Sequence, residues 1–73
     1  MSEIVKSKIE EIAPSKILEN SMMMEVESWV SSIFNQIDYK PKNLKKSIDK
    51  AWHNASPSDT ISDFVYRVWR YDS

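Results

Sequence analysis

The sequence predicts an all-α fold: a small four-helix bundle-like domain with helices over residues 2–13, 21–37, 42–53 and 57–70, and one domain spanning 1–73. Three observations carry this expectation. Apolar residues recur at three- and four-residue intervals through four stretches of the chain. Turn chemistry separates those stretches at Pro14, at Asp38–Pro41 and at Asn54–Pro57. Finally, the 73 residues contain no glycine, where average usage of about 7% would supply roughly five. Glycine is the default residue for positive-φ turns and for close backbone approach to a phosphate. Walker loops, dinucleotide fingerprints and nucleophile elbows are thereby excluded.

In the first stretch Val5, Ile9 and Ile12 fall at i, i+4 and i+7 on one helical face. Pro14 disfavours the α conformation at Ala13 and ends the helix there. Glu10 and Glu11 oppose the C-terminal dipole, so this end is expected to fray. A further short helix is expected within Pro14–Asn20, with Asn20 as its break.

In the second stretch Met22, Met23, Val26, Trp29, Val30, Ile33, Phe34 and Ile37 share one apolar arc, about 140° wide on a helical wheel. So wide an arc predicts the central element of the bundle, packed on two neighbours. Ser28, Ser31, Ser32 and Asn35 lie opposite. Met24 also projects away from the arc; it is expected to pack beneath the connection from the first helix, or alternatively to touch a partner, since thioethers suit adaptable surfaces.

The third stretch buries Leu44, Ile48, Ala51 and Trp52, with Lys42, Lys46 and Lys50 recurring on the other face. Asn54 is expected in the left-handed position that glycine usually fills after a helix. The fourth opens with Ser56-Pro57-Ser58-Asp59, which reads as N-cap, N1 proline and acidic N3. Ile61, Phe64, Val65, Val68 and Trp69 then line one face, and Asp63 and Arg67 form an i,i+4 pair. The rings of Trp29, Phe34, Trp52, Phe64 and Trp69 are expected to form the core.

Composition narrows function mainly by exclusion. Cysteine is absent and His53 is the single histidine, so disulfides, thiolate metal sites, cysteine nucleophiles and multi-imidazole sites are ruled out. His53 has Asp49 one turn earlier, a pair expected to be surface structure because nothing nearby supplies a nucleophile. Glu10–Glu11 and Glu25/Glu27 lack the spacing of an acid/base or di-metal constellation. No enzyme, metal or cofactor is expected. No apolar run approaches the roughly 20 residues that span a bilayer, the first residues lack a signal-peptide core, and Ser2 occupies the position where myristoylation needs glycine. The cytosol is the expected compartment, and no membrane partner is expected.

The net charge of −1 conceals a division. Residues 1–27 carry three lysines against six glutamates, a local charge of −3, while 28–73 carry seven basic residues against five aspartates, or +2. Within the basic part, Lys40, Lys42, Lys45, Lys46 and Lys50 lie near Tyr39 and Trp52. Such a face is ordinarily the solvated side of an amphipathic helix, but it also suits phosphates or an acidic protein. Sequence-specific reading by the fourth helix is disfavoured, because Asp59 and Asp63 would meet the DNA.

The function expected from these features is a small non-enzymatic protein–protein interaction module: an adaptor, inhibitor or regulator. A chain this short is near the lower limit for an autonomous core, so another protein or self-association into an oligomer is the expected partner. The contact residues expected are Met24, Tyr66 and Tyr71, which lie off the main arcs, and Lys42, Lys45, Lys46 and Lys50. The surfaces are the edge between the second and fourth helices and the lysine face of the third. The alternative is a sequence-independent nucleic-acid-binding protein using the Lys40–Lys50 basic helix face.

Overall fold

Four helices form from the four periodic stretches, with several ends displaced, in the computed structural model, which describes residues 2–73. They are α1 (Ser2–Ile12), α2 (Met23–Gln36), α3 (Leu44–His53) and α4 (Ile61–Asp72). The domain is all-α, and among the described residues no helix is long and apolar enough to cross a membrane.

The hub is α4 rather than α2: each of the other three helices packs on α4. Its Ile61, Phe64, Val65 and Val68 are fully buried, a stripe bordered on one side by Tyr66 and Trp69, which are half-buried and stacked on each other. The wide arc of α2 is only partly used at its N-terminal end, where Met23 is half-buried against the core. Met22 is the N-cap residue and is 71% exposed, and Val26, Val30, Ile33 and Phe34 carry the burial. Ile9 of α1, Ile48 and Ala51 of α3, and Leu18 complete the core.

The rings divide differently from the expectation. Phe34 and Phe64 are buried, whereas Trp29, Trp52 and Trp69 are half-buried at the margin. A small core of aliphatic residues and two phenyl rings has no volume left for three indoles, whose size makes complete burial uncommon.

Pro14–Asn20 contains no helix. Its backbone runs antiparallel to residues 57–61, with Leu18 N–H donating to Asp59 O at 2.8 Å, Glu19 N–H to Pro57 O at 3.0 Å and Ile61 N–H to Lys16 O at 3.0 Å. This pairing also explains why α4 begins late. Thr60 is held extended (φ −77°, ψ 161°) and becomes the N-cap, its Oγ1 accepting from Asp63 N–H at 3.1 Å. Ser56 and Asp59 instead close a separate turn, in which Ser56 N–H donates to Asp59 Oδ2 at 3.0 Å. The expected Asp63–Arg67 pair gives way to an ion pair between Arg67 and Asp59 at 3.4 Å. Arg67 also donates to Asn54 O at 2.6 Å, satisfying a carbonyl at the end of α3.

Asn54 is not left-handed (φ −104°); its side-chain amide bonds Lys50 O at 2.9 Å. Positive φ occurs instead at Asn20 (68°) and Asp38 (58°). Asp38 ends α2 in a Schellman arrangement, with Tyr39 N–H donating to Phe34 O and Asp38 N–H to Asn35 O. The accompanying hydrophobic contact is edge-to-face, with the Phe34 and Tyr39 rings 5.0 Å apart. An aspartate here carries both the left-handed cost and an unfavourable charge at a helix C-terminus. Asp38→Gly is therefore expected to stabilise the domain by about 1 kcal/mol, measured as a higher urea midpoint at constant slope. A lower midpoint would show that Asp38 makes a compensating interaction.

Candidate functional site

The surface feature with the most chemical definition is built around Trp52. This residue stands at the boundary of the buried face of α3, which rests on α4 through Ile48 and Ala51. Its indole meets the fully buried Phe64 edge-to-face, with centroids 5.9 Å apart and planes at 83°. One part of the ring is thereby fixed by the core while the rest borders solvent.

Two concavities border it. The first, about 420 Å³, is walled by Leu18–Ser21 and by Trp52, Ala55, Ser56 and Pro57. The antiparallel backbone pairing of 16–19 with 57–61 holds its two walls together. At Asn20 the positive φ turns the chain out of this wall and into α2. Ser21, on the wall, has a buried hydroxyl that makes no hydrogen bond within the chain. The second concavity, about 520 Å³, is bounded by Met23, Asp49, Lys50, Trp52, His53 and Asn54. Trp52 is thus a wall common to both hollows, and Met22 and Met24, 71% and 78% exposed, follow Ser21 at the start of α2. A third hollow, about 600 Å³ and more polar, lies between Ser28, Ser31, Ser32 and Asn35 of α2 and the Tyr39–Pro41 segment.

The residues anticipated as contacts fall in separate places. Met24 does not pack beneath the α1 connection; it is the most exposed large apolar side chain among those described. Tyr66 is half-buried, stacked on Trp69 at 5.7 Å with the Lys6 ammonium 5.7 Å from its ring. Tyr71 is 38% exposed and lies beneath Lys50, whose Nζ is 4.9 Å from the ring centroid. Lys42 precedes α3, so the helix itself carries only Lys45, Lys46 and Lys50. Arg67–Asp59 is the single ion pair among the described residues, leaving the ammonium groups of Lys40, Lys42, Lys45, Lys46 and Lys50 without a carboxylate within 4.0 Å. Nor do Asp49 and His53 pair, and His53 is exposed.

The most perturbed titratable pair is Tyr39 and Asp72. Asp72, 8% exposed, accepts from Lys42 N–H at 2.8 Å, Asn43 N–H at 2.8 Å, the Ser47 hydroxyl at 3.2 Å and the Tyr39 hydroxyl. Burial by itself would raise its pKa. The bonds from Tyr39, Asn43, Lys42 and Ser47 overcome that effect and hold the carboxyl below the usual aspartate value. Burial, the bond to Asp72 and the charge of Asp72 push the Tyr39 hydroxyl up to about 12. All four donors belong to the approach and first turns of α3, so Asp72 serves as a cap donated by the end of α4. Its protonation equilibrium is spent on holding two helices together. Among the described residues, no three His, Cys, Asp or Glu side chains converge as metal ligands.

The Asp72 cap and the Trp52 wall both escape a reading of the sequence. Asp72 lies beyond the expected end of the fourth helix. Trp52 belongs to an apolar arc, which assigns it to the core. The available hint was Leu18, a large apolar residue between Pro14 and Asn20 that no helical face accounts for.

Fold and site together define a small all-α domain with a tryptophan-centred groove. Compared with known protein families, curated proteins and solved structures, the chain matches none.

Proposed function

We propose that this chain is a small non-enzymatic protein–protein interaction module, and that its principal contact surface is the double hollow around Trp52. The observation that carries this reading is a half-buried indole, braced from below by Phe64 and bordered by concavities of about 420 and 520 Å³. Tryptophan and methionine are enriched at protein interfaces, where anchors occupy water-excluding pockets and polar groups form the rim. Met22, Met23 and Met24 bring unbranched, adaptable side chains to the same region. The unspent Ser21 hydroxyl offers a specific polar contact. These features suit an adaptor, inhibitor or regulator in the cytosol.

The test uses exposed rim positions, so that the core is left intact. Ser56→Arg and Glu19→Arg, both at exposed positions on the first hollow, are expected to retain the wild-type melting temperature while losing proteins that the wild-type chain recovers stoichiometrically from its native cells. Identical recovery by wild type and both rim variants would place the interaction elsewhere.

A second reading, a sequence-independent nucleic-acid-binding protein, is favoured by one observation: among the described residues the ammonium groups of Lys40, Lys42, Lys45, Lys46 and Lys50 have no carboxylate partner. It predicts an affinity for mixed-sequence DNA or RNA that falls steeply with salt and falls again in a Lys42/Lys46/Lys50→Glu variant. No binding at low salt would eliminate it.

A further inference from the structure

We infer that the Trp52 groove receives an acidic amphipathic helix from a partner protein, an inference that rests on the interaction-module reading above. Two hollows that share Trp52 as a common wall suit a ligand with two apolar anchors on one face, as the i and i+3 or i+4 pattern of helix-in-groove recognition supplies. Each hollow, at about 420 and 520 Å³, has room for a large aliphatic or aromatic side chain.

Charge specifies the rest of the partner. Lys45 is seven residues before Trp52, and Lys46 is seven before His53. That spacing is close to two helical turns, so each lysine shares a stripe with its counterpart, about 10 Å away along α3. The stripes that end at the groove therefore begin in an exposed cationic pair. Neither ammonium has a carboxylate within 4.0 Å among the described residues. Lys50 adds a third cation on the wall of the second hollow, its ammonium 4.9 Å from the Tyr71 ring centroid. Asp49 and Glu19 are the acidic residues on the groove itself. They disfavour carboxylates directly over Trp52 and favour them two turns away, which sets the register of the bound helix. The partner thus carries apolar anchors at one end of its contact stripe and carboxylates at the other.

The probe is a synthetic helical peptide with leucines at i and i+3 and glutamates two turns further along. The readouts are the Trp52 indole N–H resonance, assigned with Trp52→Phe, and peptide fluorescence anisotropy. The expected result is a shift of that resonance and an affinity that falls about tenfold in Lys45→Glu/Lys46→Glu, with a similar loss between low and high salt. Both substitutions lie in the first turns of α3, where glutamate favours the helix, so the fold is retained. A peptide with lysines replacing the glutamates that binds equally well would overturn the acidic partner while leaving the interaction module standing. Failure of the acidic peptide to move Trp52 would overturn the inference, and the rim-variant recovery then decides the broader reading separately. A DNA duplex that shifts the Lys45 and Lys46 amides and displaces the peptide would overturn it in favour of the nucleic-acid reading. A Trp52 shift that follows protein concentration without peptide would assign the groove to a second copy, whose α1 carries Glu3, Glu10, Glu11 and an Ile4 that is 58% exposed.

Discussion

Asp72→Ala is expected to lower stability by about 3 kcal/mol, the largest loss for any polar residue in the domain. The substitution strands the half-buried Tyr39 hydroxyl and uncaps the approach to α3 at Lys42 and Asn43. Hydrogen bonds to an ionised group contribute about 1.5–3 kcal/mol each, and their losses do not add in full because the freed amides regain some water. For a chain of this length the total stability is roughly 4–11 kcal/mol, so the variant approaches the unfolding threshold. Urea denaturation measures it, and a loss below about 1 kcal/mol would show the cap to be dispensable. Asp72→Asn separates shape from charge and is expected to lose most of the same amount.

The pair also predicts the pH profile. A depressed folded-state pKa at Asp72 means its contribution is present above the ordinary aspartate value and disappears as pH falls through the folded value. A raised pKa at Tyr39 means that its contribution is present below about 10 and is lost as pH rises toward about 12. Stability is expected to form a plateau from about pH 5 to about pH 9. In Tyr39→Phe the alkaline decline should shrink.

Phe64→Ala is expected to cost about 4 kcal/mol, in the range for a fully buried phenyl ring. Phe64 is 0% exposed, sits on the helix against which the other three pack, and supports the Trp52 indole. Loss of cooperative unfolding at room temperature is the outcome to look for, and a shift of less than about 2 kcal/mol would mean that the core collapses into the space. Phe64→Leu is the functional companion. It keeps an apolar side chain in place, at a cost of about 1 kcal/mol, but removes the edge-to-face contact that fixes the indole. Weaker peptide binding with a retained fold would connect core packing directly to the groove.

The four helices were legible because their apolar spacing is local and each has a break beside it. Burial at Ile48, Phe64, Val65 and Val68 follows from the same periodicity. What could not be read was long-range. The start of α4 moves from Pro57 to Ile61 because a distant segment, 16–19, holds Thr60 extended. Arg67 leaves its i,i+4 neighbour for Asp59 and Asn54 because both are brought within reach by the α3–α4 turn. After α2 the left-handed residue is Asp38, where the Tyr39 ring closes onto Phe34, whereas Asn54 stays right-handed, its side chain bonding Lys50 O and its carbonyl held by Arg67. The candidate site is legible in part only. The lysines were identifiable as exposed chemistry and Met24 only as the alternative to packing beneath the first connection, while the groove consists of residues from two segments that meet only through α4 and the backbone pairing beside it.

Because α1, α2 and α3 lean on α4, order of synthesis has a physical meaning here. As the polypeptide emerges from the ribosome, its first three helices have almost nothing to share until the fourth arrives, and the amide donors at Lys42 and Asn43 wait some thirty residues for their carboxylate. Domains whose parts depend on a late element fold as a unit rather than piecemeal. A nascent chain halted at residue 60 should remain open to proteases, and release of the last dozen residues should bring protection in a single step.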